Sequence, residues 1–307
     1  MKRKMLTVVL STAMVFSMLI GCGKTEETQT EASVATEEAS SAETTVTEET
    51  SSVAAESEET TETASEGDLL QSIKEKGKLV VGTASGYAPY EFVDVTSANQ
   101  EIIGVDIELA QAIADELGVE LEVQDMVFSS LLSSLSAHKI DIAIAGIAPT
   151  DERKETMDFS DSYLFATQSI LILSENAEQF QTLESFSGQP MAAQKSTTQE
   201  ALIQEMLPES PLVSLDKVPD CILELKSGNV AGVAVESIVG EQYIIAHDDL
   251  QFADASFEKQ KESAVALEKG NEDLLEIINK VIKENQDNGN FDKWVEEYSA
   301  IAAENAQ

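Results

Sequence analysis

From Gly67 onward, apolar residues recur at two spacings that alternate along the chain. Compact apolar runs of strand length fall at residues 78–83, 119–123 and 140–145. Between them, apolar positions repeat at helical spacing over 106–117, where Leu109, Ile113 and Leu117 line up with Ala110 and Ala114 beside them, and again over 129–137. Gly118 stands where that first long helix should stop. A short helix over 69–76 precedes the first run. Strand, helix, strand, helix, strand in short alternation predicts parallel βαβ units in a layered α/β sheet. After Tyr163 the alternation restarts, with strands at 169–173, 191–194, 212–215 and 230–235, helices at 198–206, 218–226 and 237–246, and a turn at 183–188. A strand at 264–267 and two helices, 272–286 and 291–302, complete the pattern. No fixed period repeats, so two similar lobes are expected and not a solenoid.

Upstream of Gly67 the pattern is of another kind. Met1, Lys2, Arg3 and Lys4 precede an apolar run over 5–20, the shape of a secretory signal and too short for a comfortable membrane span. The run ends in Leu19, Ile20, Gly21 and Cys22, which resembles the lipobox of bacterial lipoproteins. That resemblance implies that residues 1–22 are a signal peptide and that Cys22 carries lipid, palmitate included, anchoring the chain to the outer face of the bacterial cell membrane. Residues 23–66 collapse to Thr, Ser, Glu and Ala with almost no large apolar side chain, so they read as a disordered acidic tether held extended by its own charge.

Composition removes several function classes. The formal net charge is −38, and most of it lies beyond Gly67. Phosphate binding needs the opposite field, so nucleic acid is not an expected partner, and direct adhesion to anionic headgroups is disfavoured too. Of the two cysteines only Cys221 follows Cys22, so no intrachain disulfide is expected in the mature chain. The pattern 221–225 suits a buried structural thiol over a reactive one. His138 and His247 are the only histidines and have no cysteines at ligand spacing; neither a metal site nor a cofactor is expected. With no span after the signal, a sensor module of a larger membrane receptor is disfavoured.

Candidate chemistry gathers at strand-to-helix turns, where open α/β sheets hold ligands outside the carboxyl ends of their strands. The loops 84–89 and 146–153 lie at such ends. Arg153 is the only arginine besides Arg3. A planar, always-charged fork kept at one position points to bidentate work that a lysine cannot do. Thr150 reads as a helix N-cap, which puts Arg153 on a first turn beside amides without helical partners. An exposed arginine paired with Glu152 or Glu155 fits that position equally well. Two further polar points, 196–198 and Glu236, stand at similar turns. Arg153 with the amides after Ser196 would hold a carboxylate, and Glu236 would accept from an ammonium; both on one carbon describe an α-amino acid. A plain helix cap at 196–198 and a solvated first-turn acid at 236 are the alternatives.

The sequence also closely resembles the family 3 extracellular solute-binding proteins, the amino-acid receptors of ABC importers. The matching residues are Gly82 and Thr83 with Tyr87, Ala88, Pro89, Tyr90 and Glu91; Gly104, Val105, Asp106, Ile107, Glu108, Leu109 and Ala110; Lys139, Ile140 and Asp141; Thr150 through Arg153; Asp158, Phe159, Ser160, Asp161, Ser162 and Tyr163; Ser196, Thr197, Thr198, Gln199 and Glu200; and Lys226, Ser227 and Gly228. The match runs from about residue 68 to residue 300, and its order and spacing are specific as a set.

The resemblance implies an α/β, two-lobed periplasmic-binding-protein-like fold of type 2, each lobe a layered sheet, joined by two crossing segments near 164–168 and 261–265. Lobe one would comprise 67–165 plus 264–307, and lobe two 166–263, with the ligand in the cleft. The implied function is the extracytoplasmic substrate-binding component of an ABC importer, a monomer capturing a polar amino acid and delivering it to the membrane permease. Arg153 would take the α-carboxylate with amides near Ala148 and Thr198. Glu236 stands where the family usually has Asp for the α-amino group, helped by the Gly146 carbonyl. Tyr87 and Phe128 match positions that sandwich the ligand side chain, with plain core packing as the alternative for both. Two departures bear on the ligand: Ala148 replaces a common Ser or Thr, and Ala84 an Asp common in receptors for basic amino acids. An enzyme on the same fold, dehydratase-like towards prephenate-type acids, is the runner-up, with only Glu236 and Lys195 as candidate acid or base.

Overall fold

The computed structural model describes residues 69–305. The expected signal peptide, Cys22 and the tether lie outside the described residues. The chain runs α1 (Leu69–Lys76), β1 (Lys78–Thr83), β2 (Phe92–Val93), β3 (Ile102–Ile103), α2 (Val105–Leu117), β4 (Glu120–Asp125), α3 (Phe128–Ser136), β5 (Ile142–Ala143), α4 (Asp151–Lys154), β6 (Met157–Phe159) and β7 (Leu164–Leu173). It continues β8 (Met191–Gln194), α5 (Thr198–Met206), β9 (Leu212–Leu215), α6 (Val218–Lys226), β10 (Gly232–Glu236), α7 (Ser237–Ala246), β11 (Leu250–Phe252), β12 (Gln260–Ser263), β13 (Ala266–Glu268), α8 (Glu272–Asp287) and α9 (Asn290–Asn305).

Two main sheets carry most of the strands, while β2 and β3 pair with each other in a separate two-stranded sheet. The first has the order β4-β1-β5-β13-β6, and the second the order β11-β7-β10-β8-β9. In the first sheet β1 is parallel to both β4 and β5, as the alternation predicts. The late strand β13 enters antiparallel between β5 and β6, which local periodicity did not foretell. β1 is buried from Leu79 to Thr83, as a run flanked by strands on both edges and helices on its faces must be. The apolar run 140–145 forms a shorter ladder than expected, since only Ile142 and Ala143 are strand. Asp141 and Ile144 nevertheless donate their N–H groups to the Val80 and Gly82 carbonyls, so the run still tracks β1 up to the turn at Gly146.

Helix α2 buries Leu109, Ala110, Ile113, Ala114 and Leu117, the stripe read from the sequence, and ends at Gly118 with a left-handed φ of 72°. Its N-terminus is gripped by the loop before it. Val105 and Asp106 donate to the Pro89 and Tyr90 carbonyls, which pins the 86–92 strap against the helix. That grip demands glycine at 104, where φ is 137° and a Cβ would lie 2.1 Å from the Tyr90 carbonyl oxygen. Gly104→Ala is therefore expected to cost about 2–3 kcal/mol in urea unfolding. A stability within 0.5 kcal/mol of wild type, about the scatter of neutral surface changes, would rule this account out.

The two sheets are tied by β7 and β12, which pair antiparallel from Leu164↔Ser263 to Thr167↔Gln260. β7 then continues unbroken into the second sheet, where Gln168 to Leu171 pair with β10. The chain passes between the two sheets at these paired strands. Cys221 lies fully buried on α6, with its thiol unpaired and its pKa pushed up to about 12 by that burial.

Candidate functional site

Thr150 caps α4 as its sequence position suggests, its Oγ1 accepting from the Arg153 N–H at 3.3 Å. Arg153 leaves that first turn half-buried. Its Nη1 donates to the Ala148 carbonyl at 2.9 Å and its Nη2 to the Ser196 carbonyl at 3.0 Å, while its guanidinium carbon sits 5.6 Å over the Phe128 ring. No ion pair with Glu152 or Glu155 forms, so the exposed-arginine alternative does not describe it. One guanidinium therefore touches backbone that follows β5 and backbone that follows β8, spanning the space between the two sheets.

The facing turn is built by reciprocal capping. Thr197 Oγ1 accepts from the Glu200 N–H at 3.3 Å, and Glu200 Oε2 accepts from the Ser196 N–H at 2.6 Å. Ser196 is held at φ 63°, a left-handed conformation that turns its carbonyl towards Arg153. Thr198 opens α5, and its Oγ1 accepts from Gln168 Nε2 at 3.1 Å. The expected helix cap at 196–198 is therefore present.

Glu236 differs from expectation. It is the last residue of β10 and fully buried, and Lys261 Nζ on β12 reaches it at 2.5 Å. The ammonium that Glu236 receives belongs to the chain itself. Lys261, which sequence reasoning used only to bound a crossing, also lies 5.2 Å over the Tyr87 ring and 5.3 Å over the Tyr90 ring. It takes an inward-facing place in β12, shared with Ser263, but the polar run Gln260–Ser263 carries no apolar alternation that could have marked it in the sequence. Gly146, with φ 53°, lies against both: a Cβ there would come 3.2 Å from Lys261 Nζ and 3.2 Å from the Tyr87 ring.

Tyr87, Glu91, Phe128, Gly146, Ala148, Arg153, Thr198 and Lys261 line one small inter-sheet cavity, to which Gln194, Thr197 and Gln199 also contribute; Ser196 lines only the groove beside it. About 10 Å³ of room remains in it, on the order of one water. On either side of α4 it gives onto grooves of about 700 and 450 Å³; Arg153 lines the first and Lys261 the second. Tyr87 and Phe128 pack into the core and line the cavity at once, so the two alternatives for them are not exclusive.

Behind the cavity two acids are buried together. Burial, reinforced by Asp106, pushes the Glu91 carboxyl well above the ordinary range, and Glu91 Oε2 has no protein partner. Asp106 accepts from the Gly146 N–H at 2.7 Å and the Tyr163 hydroxyl at 2.8 Å, yet burial still raises it to about 6. A carboxyl raised in the folded state binds its proton more tightly there than in the unfolded chain, so its contribution to stability falls as pH rises from about 3.8 to about 6. Asp106→Asn should thus gain stability relative to wild type across that interval and level off above it. Urea midpoints taken at intervals from about pH 4 to pH 7 test this; parallel curves for the two proteins would refute it.

Known proteins similar to this chain are solute-binding proteins. The family model described as bacterial extracellular solute-binding proteins, family 3, matches residues 79–300. The arginine-binding extracellular protein ArtP of Bacillus subtilis (strain 168) is 37% identical over 223 residues, covering 71% of this chain and 84% of ArtP. The L-cystine-binding protein TcyJ of Escherichia coli (strain K12) is 30% identical over 236 residues, covering 75% and 87%. Among solved structures, the amino acid ABC transporter substrate-binding protein AbpA from Streptococcus pneumoniae Canada MDR_19A, bound to L-arginine, is 38% identical with a TM-score of 0.74, covering 76% of this chain and 99% of AbpA.

Proposed function

The chain belongs to the bacterial extracellular solute-binding proteins of family 3, and from that premise we propose how it holds its ligand. It is the extracytoplasmic substrate-binding component of an ABC importer, and it captures an amino acid between two α/β lobes of the type 2 binding-protein fold. Lobe one is taken as 67–165 plus 264–307 and lobe two as 166–263. The lobes part and close about β7 and β12, a hinge closure that the general repertoire of binding proteins already includes.

Arg153 receives the ligand α-carboxylate, with the first turn of α5 at Thr198 and the backbone near Ala148 and Ser196 beside it. The carrying observation is the pair of Arg153 hydrogen bonds, one to Ala148 and one across the cleft to Ser196. A carboxylate entering there exchanges two neutral carbonyl acceptors for a charged one in a partly desolvated place, which is the direction binding requires. Tyr87 and Phe128 flank the ligand. Its ammonium meets the Gly146 carbonyl and Glu91, since Glu236 is engaged by Lys261. No chemical step is assigned to these residues.

Cys22 carries the lipid anchor, palmitate included, and the monomeric lobes deliver the amino acid to the membrane permease. Mass measurement of the mature N-terminus tests the anchor: an unmodified Cys22, or a signal retained intact, would refute it. A thermal-shift screen against the common L-amino acids tests the ligand class. A ligand at a hundred times its Kd should stabilise by about 2.7 kcal/mol. Arginine and cystine, named for relatives, belong in the panel, and silence from every member would sink the reading.

A further inference from the structure

The pocket described above contains more positive charge than an α-amino acid's backbone requires. Arg153 accounts for one carboxylate. Lys261 brings a second cation to the same cavity, 5.2 Å over Tyr87 and against Gly146. Its own counter-ion, Glu236, lies behind it and does not line the cavity. The one acid on the cavity wall is Glu91, fully buried with one oxygen unpartnered, and burial raises its pKa well above the ordinary carboxyl range. Gln194, Gln199, Thr197 and Thr198 complete the wall with neutral groups. A ligand therefore faces the Arg153 guanidinium, the Lys261 ammonium with Glu236 behind it, one buried carboxyl and amide or hydroxyl dipoles.

Resting on the amino-acid reading of the same site, we infer that Lys261 determines ligand class, receiving a side-chain carboxylate so that the pocket selects acidic amino acids and rejects basic ones. Glu236 and Lys261 are both almost fully buried and 2.5 Å apart, so the ammonium is held in position before ligand arrives. A basic side chain entering between the Tyr87 and Phe128 rings would approach that ammonium from the side away from its counter-ion Glu236. Like charges in a partly desolvated site repel strongly. An acidic side chain in the same place meets the complementary charge, while the α-carboxylate keeps Arg153.

The test uses the full chain in detergent and isothermal calorimetry with L-glutamate, L-aspartate and L-arginine. Wild type is expected to bind one of the two acidic ligands at least about tenfold more tightly than arginine, the discrimination that one unfavourable charge contact readily supplies. Lys261→Met should lower that ratio by about tenfold or more. Because this change strands Glu236, the pair Lys261→Met with Glu236→Gln is measured as well, and the same fall is expected without a buried unpaired charge. Arginine binding as tightly as the acidic ligands in wild type, or a ratio unchanged in the double variant, overturns the inference while leaving the amino-acid reading intact. A wild type silent to every amino acid overturns both.

Discussion

Arg153→Ala is expected to abolish most of the binding. The substitution leaves a ligand carboxylate desolvated and unpaired in the cleft, an expected loss of about 2–4 kcal/mol, or roughly 30- to 1000-fold in Kd. Arg153→Lys keeps the charge but loses the fork that reaches Ala148 and Ser196 together, so clearly weaker binding is expected there too. The fold should barely notice either change, because Arg153 is half-buried and its partners are loop carbonyls at the cleft surface. Calorimetry with whichever ligand the thermal screen identifies is the direct measurement. Unchanged affinity in the alanine variant, with a normal circular dichroism spectrum, would remove Arg153 from the site.

The second large effect is on stability and centres on Lys261. Its side chain and that of Glu236 are almost wholly buried and joined at 2.5 Å. Burying such a pair gains little over an apolar pair of the same size, but breaking it from one side is costly. Lys261→Met should therefore destabilise by about 3–5 kcal/mol. Adding Glu236→Gln should recover most of that loss, so the two changes are strongly non-additive. Urea unfolding of wild type, both single variants and the double variant gives the coupling energy. Additive effects would mean that the two side chains do not depend on each other.

Much of the frame could be read in advance because it is local. The helical stripe of α2, the stop at Gly118, the cap at Thr150 and the strand before Glu236 are each written within about a dozen consecutive residues, and each stands as expected. Arg153 stood out as the chain's only arginine after residue 3, and its cap placed it. What escaped was non-local. β13 takes its place in the first sheet between strands more than a hundred residues earlier, so no window of sequence shows it. Glu236 was recognised as an acid at a strand end, but its partner lies 25 residues on, in a four-residue crossing strand too short for a period to emerge. Glu91 belonged to the quoted Tyr87–Glu91 motif, yet its burial depends on the strap folding back onto α2, a contact that Gly104 makes possible from another part of the chain.

The burial of Cys221 has a practical consequence. A thiol held protonated up to about pH 12 is a poor nucleophile, and one with no exposed surface is out of reach as well. Among the described residues Cys221 is the only cysteine, so they offer maleimide chemistry no competing target. Cysteines placed at the exposed positions Ser136 and Gln204, on opposite walls of the groove beside α4, would accept a donor and an acceptor dye cleanly. Lobe movement could then be followed as energy transfer in single molecules, with the native thiol left in place.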